Sequence, residues 1–392
     1  ESFTRALRAD PNRKGLLYAG TEKGMYISFD DGKNWESFQQ NLPIVPITDL
    51  AIKNDNLIAA TQGRSLWIID DLTPLHQLNK TILKQDVVLY KPKDAYNGSW
   101  GSPLSGNSSS FTGSDAFNGI NPANGVVLYY ELPKLADNAS ITLEISDANG
   151  KLIRTITSEK DPTYKPHNGG GAPPAPMLSK EEGLNRFVWD MKYPIMPGVP
   201  DVYIEAGFSG HKVSPGTYTF TLKVDGQTVS TTGLIKEVPT YETKPGQYEE
   251  FDAFMTDAEA ELTEMHNMVN LLCKAQQDLA EVLKKVTDVE AKSKGEKLLA
   301  DLKAWDADMV QRKSQAYDDV ENFPNKFTAE YLFMINQTNS SIARLNQSNK
   351  DRKAELDKKW ETLKAKGNQL KNTEIPAYNK TLWDAGVGAI RL

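Results

Sequence analysis

Two different periods of apolar residues divide the chain near Pro245. Before it, short runs alternate apolar and polar at period two, which predicts strands; after it, apolar residues recur every three, four or seven positions, which predicts helices. Residues 15–20, 24–29, 47–52, 56–60 and 65–69 are strand-like runs separated by Gly-, Asp- and Asn-containing turns. Their even spacing predicts an all-β repeat over residues 1–80. Residues 126–130 and 141–145 continue the β pattern, and the second run turns at Asn149-Gly150 into residues 152–156. Asn-Gly between alternating runs is a strong hairpin signal. A further hairpin runs over residues 217–224, turns at Asp225-Gly226 and returns through residues 228–235. With Phe187-Val188-Trp189, these strands suffice for a small immunoglobulin-like β-sandwich across residues 81–245. Residues 99–119, rich in Ser and Gly, and residues 162–176, with Gly169-Gly170-Gly171 and three prolines, read as long loops.

Beyond Pro245, Leu262, Met265, Val269, Leu272, Leu279 and Leu283 form one apolar stripe that continues to Val286. A second helix carries Leu298, Leu302, Trp305 and Met309. A third is predicted from Phe327 through Leu332, Ile335, Ile342, Leu345, Leu356, Trp360 and Leu363. Three amphipathic segments imply a helical bundle over residues 246–392. Asn336, Asn339 and Asn346 lie near the third stripe, where they would pair across the bundle or sit on its wet edge.

The most specific short motif is Ser28-Phe29-Asp30-Asp31-Gly32-Lys33-Asn34-Trp35, which fits S-x-D-x-G-x-x-W with Asn34 where Thr is usual. Asp30 can accept hydrogen bonds from the turn's own N–H groups, Gly32 can supply a positive φ, and Trp35 can plug the space between neighbouring strands. Ser28, Asp30, Gly32 and Trp35 are therefore structural: they fold a hairpin. With Tyr18-Ala19-Gly20-Thr21-Glu22, Asn41-Leu42-Pro43 and the run Gly63 to Leu72, the segment resembles the last blades of bacterial sortilin-like (VPS10-type) BNR, or Asp-box, β-propeller proteins. Gly183 to Asp190 and Pro215 to Thr219 also resemble the region after the propeller in that family. The resemblance implies a multidomain chain, all-β in its terminal propeller blades and sandwich and then α-helical. Residues 1–75 hold about one and a half to two blades, whereas a closed propeller needs at least about four. The resemblance thus implies a partner, the N-terminal propeller portion of the same protein or a separate fragment of it. Glu1, which is not a start methionine, fits a processed or truncated product.

Charge and candidate chemistry narrow the function. A net charge of −7 with no basic patch argues against nucleic acid, and no window approaches the about 20 apolar residues of a membrane span. The single cysteine, Cys273, excludes an internal disulfide and a thiolate metal cluster, and reads as a buried inert thiol. His76, His167, His211 and His266 lack ligand spacing, so no metal and no cofactor is expected. No G-x-S-x-G elbow occurs, and Gly169-Gly170-Gly171 lacks the ending of a phosphate loop. Asp30-Asp31 and Asp70-Asp71 could be imagined as a glycosidase pair, but neighbours along a strand point to opposite faces. Sequons such as Asn97-Gly98-Ser99 carry little information in a Ser- and Asn-rich chain. Trp100, Phe111 and Phe117 are candidates for a ligand lip. The expectation is a non-enzymatic binding or scaffold protein of the cell exterior or periplasm whose propeller recognises a peptide, glycan or protein partner. The alternatives are a sialidase-like glycoside hydrolase with its active site in blades outside this chain, and an accessory component of an outer-membrane secretion or uptake assembly.

Overall fold

Period-two patterning places the first strands. The computed structural model describes residues 2–105, 120–164, 171–339 and 343–390. In it β1 (Thr4–Ala9), β2 (Leu17–Thr21), β3 (Gly24–Ser28) and β4 (Glu36–Ser37) form a four-stranded antiparallel sheet in chain order. β5 (Ile47–Lys53), β6 (Asn56–Thr61) and β7 (Leu66–Ile69) form a three-stranded antiparallel sheet, and the short helix α1 (Thr73–Gln77) comes next. The two sheets share a core that includes Leu16, Tyr18, Ile27, Ile47, Leu50 and Leu57. Gly20 lets them approach, since a Cβ there would lie 2.6 Å from Ile47 Cγ2. The β5–β6 turn has positive φ at both Asn54 (51°) and Asp55 (57°), the geometry that matches the twist of a two-residue hairpin. β1 is the strand that the alternation does not announce, because only Ala6 within it is buried.

Two more sheets complete the β part. β10 (Val126–Leu132) lies between β13 (Gly183–Trp189) and β8 (Val88–Leu89). The other sheet has the order β12 (Leu152–Thr157), β11 (Ile141–Ser146), β14 (Gly216–Val224), β15 (Gln227–Lys236), β9 (Ala95–Tyr96). Both expected hairpins form, β11–β12 around Gly150 (φ 78°) and β14–β15 around Asp225 and Gly226 (φ 44° and 82°). Trp189, fully buried, links the sheets by edge-on ring contacts to Tyr218 at 5.4 Å and Phe220 at 5.8 Å.

These strands belong to one compact unit, Glu1–Ser158 with Leu178–Asp190 and Gly216–Lys236. The second unit comprises Glu159–Met177, Met191–Pro215 and Glu237–Leu392, so two segments that lie between strands in sequence pack with the helices. Within it, α2 (Gln247–Leu283) and α3 (Val289–Met309) carry the first two stripes, and every named stripe position from Leu262 to Met309 is buried. A single turn of helix, α4 (Asp319–Asn322), comes before the third stripe. That stripe, expected on one helix, is divided into α5 (Phe327–Thr338) and α6 (Gln347–Gln369); Ile342 between them lies outside the described residues. The asparagines explain the break: Asn339 ends α5, and Asn346 caps α6 in a reciprocal pair with Asn349 (2.8 and 3.2 Å). Asn336 exchanges two 2.8 Å hydrogen bonds with the backbone of Gly207. α7 (Ile375–Asp384) comes after a π-helical turn, and its Tyr378 packs where any side chain at Gly295 would stand. Among the described residues no helix is long and apolar enough to cross a membrane.

Candidate functional site

The Asp-box residues lie in the turn from β3 to β4. Ser28 Oγ accepts from Gly32 N (2.9 Å), Asp30 Oδ1 accepts from Asn34 N (2.8 Å), and Asp30 Oδ2 accepts from Asn34 Nδ2 (2.6 Å). These hydrogen bonds, Asn34's first, hold the Asp30 carboxyl below its usual range. Trp35 does not plug between strands: it is 38% exposed and its Nε1 donates to Gly32 O at 3.0 Å, folding the indole over its own turn. β4 is only two residues long and is the edge strand of its sheet among the described residues. Gly32 has φ 83°, so Gly32→Ala should cost about 1 kcal/mol in thermal unfolding, with secondary structure unchanged.

A cleft of about 790 Å³ opens in the strand unit, within the range of about 300–1,000 Å³ typical of ligand sites. One wall is polar. It comes from the β5–β6 turn (Asn54, Asp55, Asn56) and from Asp70 and Asp71 at the end of β7. The apolar lining includes Val127 of β10 and the loop residues Trp100, Leu104 and Pro122, and Tyr129 of β10 lines the cleft as well. Period two explains the floor: β10 buries every second residue from Val126 and turns Val127 and Tyr129 outward. Arg186 of β13, paired with Tyr129 of β10, bonds the Tyr129 hydroxyl and donates to Leu104 O at 2.7 Å. Trp100 is fixed by Nε1 donating to Pro122 O at 2.8 Å. It is the member of the expected ligand lip that lines the cleft; Phe111 and Phe117 lie outside the described residues.

Asp70 and Asp71 are expected from strand alternation to point to opposite faces, yet both line the cleft. β7 ends at Ile69, so alternation no longer governs them. The Asp70 carboxyl is held above its usual range by loss of water, opposed by Lys93 and Arg186 and aided by Asp71. Asp71 is likewise raised by burial, against hydrogen bonds from Thr73, whose N donates at 2.9 Å to begin α1. Behind this wall, Asp10 binds both the Tyr18 hydroxyl (3.0 Å) and His76 Nε2 (2.9 Å), and Gln77 ties α1 to Lys91.

A raised carboxyl favours folding only while protonated: its contribution is present below the unfolded value and is lost as pH rises through the folded one. Asp71→Asn keeps an acceptor for Thr73 N and removes the charge. It should therefore raise the Tm at pH 7.5 and leave it unchanged at pH 3.

The remaining candidates are in the helical unit or are absent from any site. His211 is buried between Asp252 and Glu259, and His266 bonds Pro197 O through Nδ1 at 2.6 Å. Cys273 is half-buried, not fully enclosed as its place beside Leu272 suggests, and burial pushes its thiol up. His167 and Gly169-Gly170 lie outside the described residues. Among the described residues no group of three or more His, Cys, Asp or Glu is placed to hold a metal. Sequence pattern alone misses Arg186, Tyr129, Lys93 and the Asn54–Asn56 turn; the outward phase of β10 is the available signal for Tyr129.

No family model and no curated protein matches the chain. Among solved structures, the chain is similar to the extracellular domain of a B. thetaiotaomicron protein described as a one component system. The identity is 13% with a TM-score of 0.16, over 61% of this chain and 26% of that one. A second, described as the extracellular domain of a hybrid two component system from the same organism, gives 12% identity and a TM-score of 0.16, over 61% of this chain and 25% of that one. The computationally designed Ika8 protein gives 11% identity and a TM-score of 0.14, over 62% of this chain and 91% of that one. The chain thus spans about a quarter of the length of the first two structures.

Proposed function

We propose that the chain is a non-enzymatic binding or scaffold protein of the cell exterior or periplasm, with the cleft beside Asp70 and Trp100 as its ligand-holding surface. The observation that carries this reading is the cleft's combination of apolar lining residues, among them Trp100 with its N–H bonded to Pro122 O, and hydrogen-bonding residues that include Asp70 and the half-buried Asp71. The exterior placement rests on the sortilin-like resemblance. So does the reading of β1–β4 and β5–β7 as propeller blades and of the other two sheets as an immunoglobulin-like sandwich. The Asp-box turn and the two antiparallel meanders support the blades. Leu66 and Ile68, 65% and 56% exposed on β7, suit cover by further blades from the N-terminal portion of the same protein.

Calorimetric titration of the full chain with neutral oligosaccharides, acidic oligosaccharides and short charged peptides tests the reading. At least one class should bind, and Ala123→Trp, which fills the cleft, should abolish that binding while the Tm stays near that of the parent. Binding that Ala123→Trp leaves intact would place the ligand elsewhere. A glycoside hydrolase acting at this cleft is the second reading, favoured by the two carboxylates, Asp70 and Asp71, that both line it. Turnover of aryl glycosides that Asp70→Asn or Asp71→Asn removes would establish it and sink the binding reading.

A further inference from the structure

Resting on that reading of the cleft, we propose that its ligand is a neutral saccharide, held with the C–H face of a sugar ring against Trp100 and its hydroxyls on the wall of Asp70 and the Asn54–Asn56 turn. Three observations converge on this chemistry. The first is charge. The cleft is lined by four carboxylates, Asp55, Asp70, Asp71 and Asp94, and by four cations, Lys91, Lys93, Arg186 and Lys236, so 4 − 4 leaves no net charge. A polyanion would meet Asp70 and Asp71, and a cationic peptide would meet Lys93 and Arg186. Neither gains the one-signed field that selects a charged ligand.

The second is the mixture of donors and acceptors within one wall. Lys93 Nζ is held by Asn54 O and by Asn56 Oδ1 (3.2 Å), and Lys236 by Asp94 at 2.7 Å, so several cations already have partners in the chain. The exposed Asp70 carboxylate lies close enough to Lys93 and Arg186 to feel both charges. A sugar hydroxyl both donates and accepts, so it can give its proton to Asp70 while receiving one from a neighbouring ammonium. Adjacent hydroxyls on a ring can repeat that arrangement, whereas a purely anionic or cationic group uses only half of it. Polar groups that lose water when a ligand covers them must each find a partner in it, which favours a polyol here.

The third is the aromatic wall. The Trp100 N–H is already satisfied by Pro122 O, so the indole lines the cleft with no unmet donor. Its fixed position leaves little side-chain freedom to be lost on binding. Val127 and Leu104 extend the apolar surface along the cleft.

The test is a printed array of neutral and charged glycans, probed with the full chain and with Trp100→Ala, Asp70→Asn and Trp383→Ala. Trp383, 78% exposed on α7, is the control for loss of a surface indole. The expected result is binding to neutral glycans, weakened by about tenfold or more in Trp100→Ala, as for loss of one stacked aromatic contact. Asp70→Asn should weaken it as well, and Trp383→Ala should leave it unchanged. Thermal unfolding of each variant separates loss of the site from loss of the fold. If only acidic glycans bind, or if charged peptides bind at the cleft while no neutral glycan does, the saccharide assignment is overturned and the binding reading stands. If no glycan and no peptide binds in a manner that Ala123→Trp blocks, both fall.

Discussion

Leu272→Asp should cost the helical unit about 3 to 5 kcal/mol and lower its unfolding temperature by many degrees. Leu272 is 2% exposed on α2 and belongs to the same apolar core as Trp305, Leu332 and Trp360. An aspartate there removes the buried methyls and leaves a carboxyl with no partner, so it must either ionise in an apolar site or take up a proton. Trp305 of the same core is itself held, its Nε1 donating to Leu363 O at 2.8 Å and its ring packed against Gly367. Lys274→Asp, two residues along on an exposed position, should change stability by about 0.5 kcal/mol or less. Urea unfolding followed by circular dichroism measures both. Equal midpoints for Leu272→Asp and the parent would show that the α2 stripe is not the core.

Acid should destabilise the same unit through His266, which is fully buried, with its Nδ1 on Pro197 O and the Phe208 ring 6.1 Å away. Burial drives its pKa down from 6.5 to about 4. A depressed pKa contributes stability above the unfolded value, and that stability is lost as pH falls from about 6.5 through the folded value. The shift corresponds to about 3 kcal/mol. His211 acts with the opposite sign. Burial disfavours its charge, but the Nε2 hydrogen bond to Asp252 (3.1 Å) and the Glu259 carboxylate 3.0 Å from Nδ1 outweigh that and raise its pKa. Its contribution is complete below the unfolded value near 6.5 and is lost as pH rises through the raised folded value. Stability of the helical unit should therefore peak just above pH 6.5 and fall steeply toward pH 4. His266→Gln should flatten the acid limb and leave the alkaline limb intact. An acid limb as steep in His266→Gln as in the parent would mean that other groups carry it.

The helices and hairpins are legible because burial imposes a period on them. The positions Leu262 to Met309 can be read as two stripes, and Asn149-Gly150 and Asp225-Gly226 announce their turns through the need for positive φ. The break between α5 and α6 is not legible, since a capping asparagine looks like any polar residue on a helix face until its partner Asn349 is seen to reach back. The cleft is legible only in part. Trp100 stands out as an aromatic in a Ser- and Gly-rich loop, but Asp70 and Asp71 are set aside by a strand rule that stops applying at Ile69. Arg186 and Lys93 come from distant stretches of sequence and meet the other residues only through sheet register and the course of the loops, which no local pattern encodes.

Hydrogen exchange of the full chain, with and without the tightest-binding glycan of the array, tests the ligand site most directly. Slowed exchange in the segments around residues 54–56, 70–77 and 96–105, with α2 to α7 unchanged and the glycan recovered intact, is the predicted result. Slowed exchange confined to the exposed face of β7 or to the helices, or a shortened glycan, would contradict it.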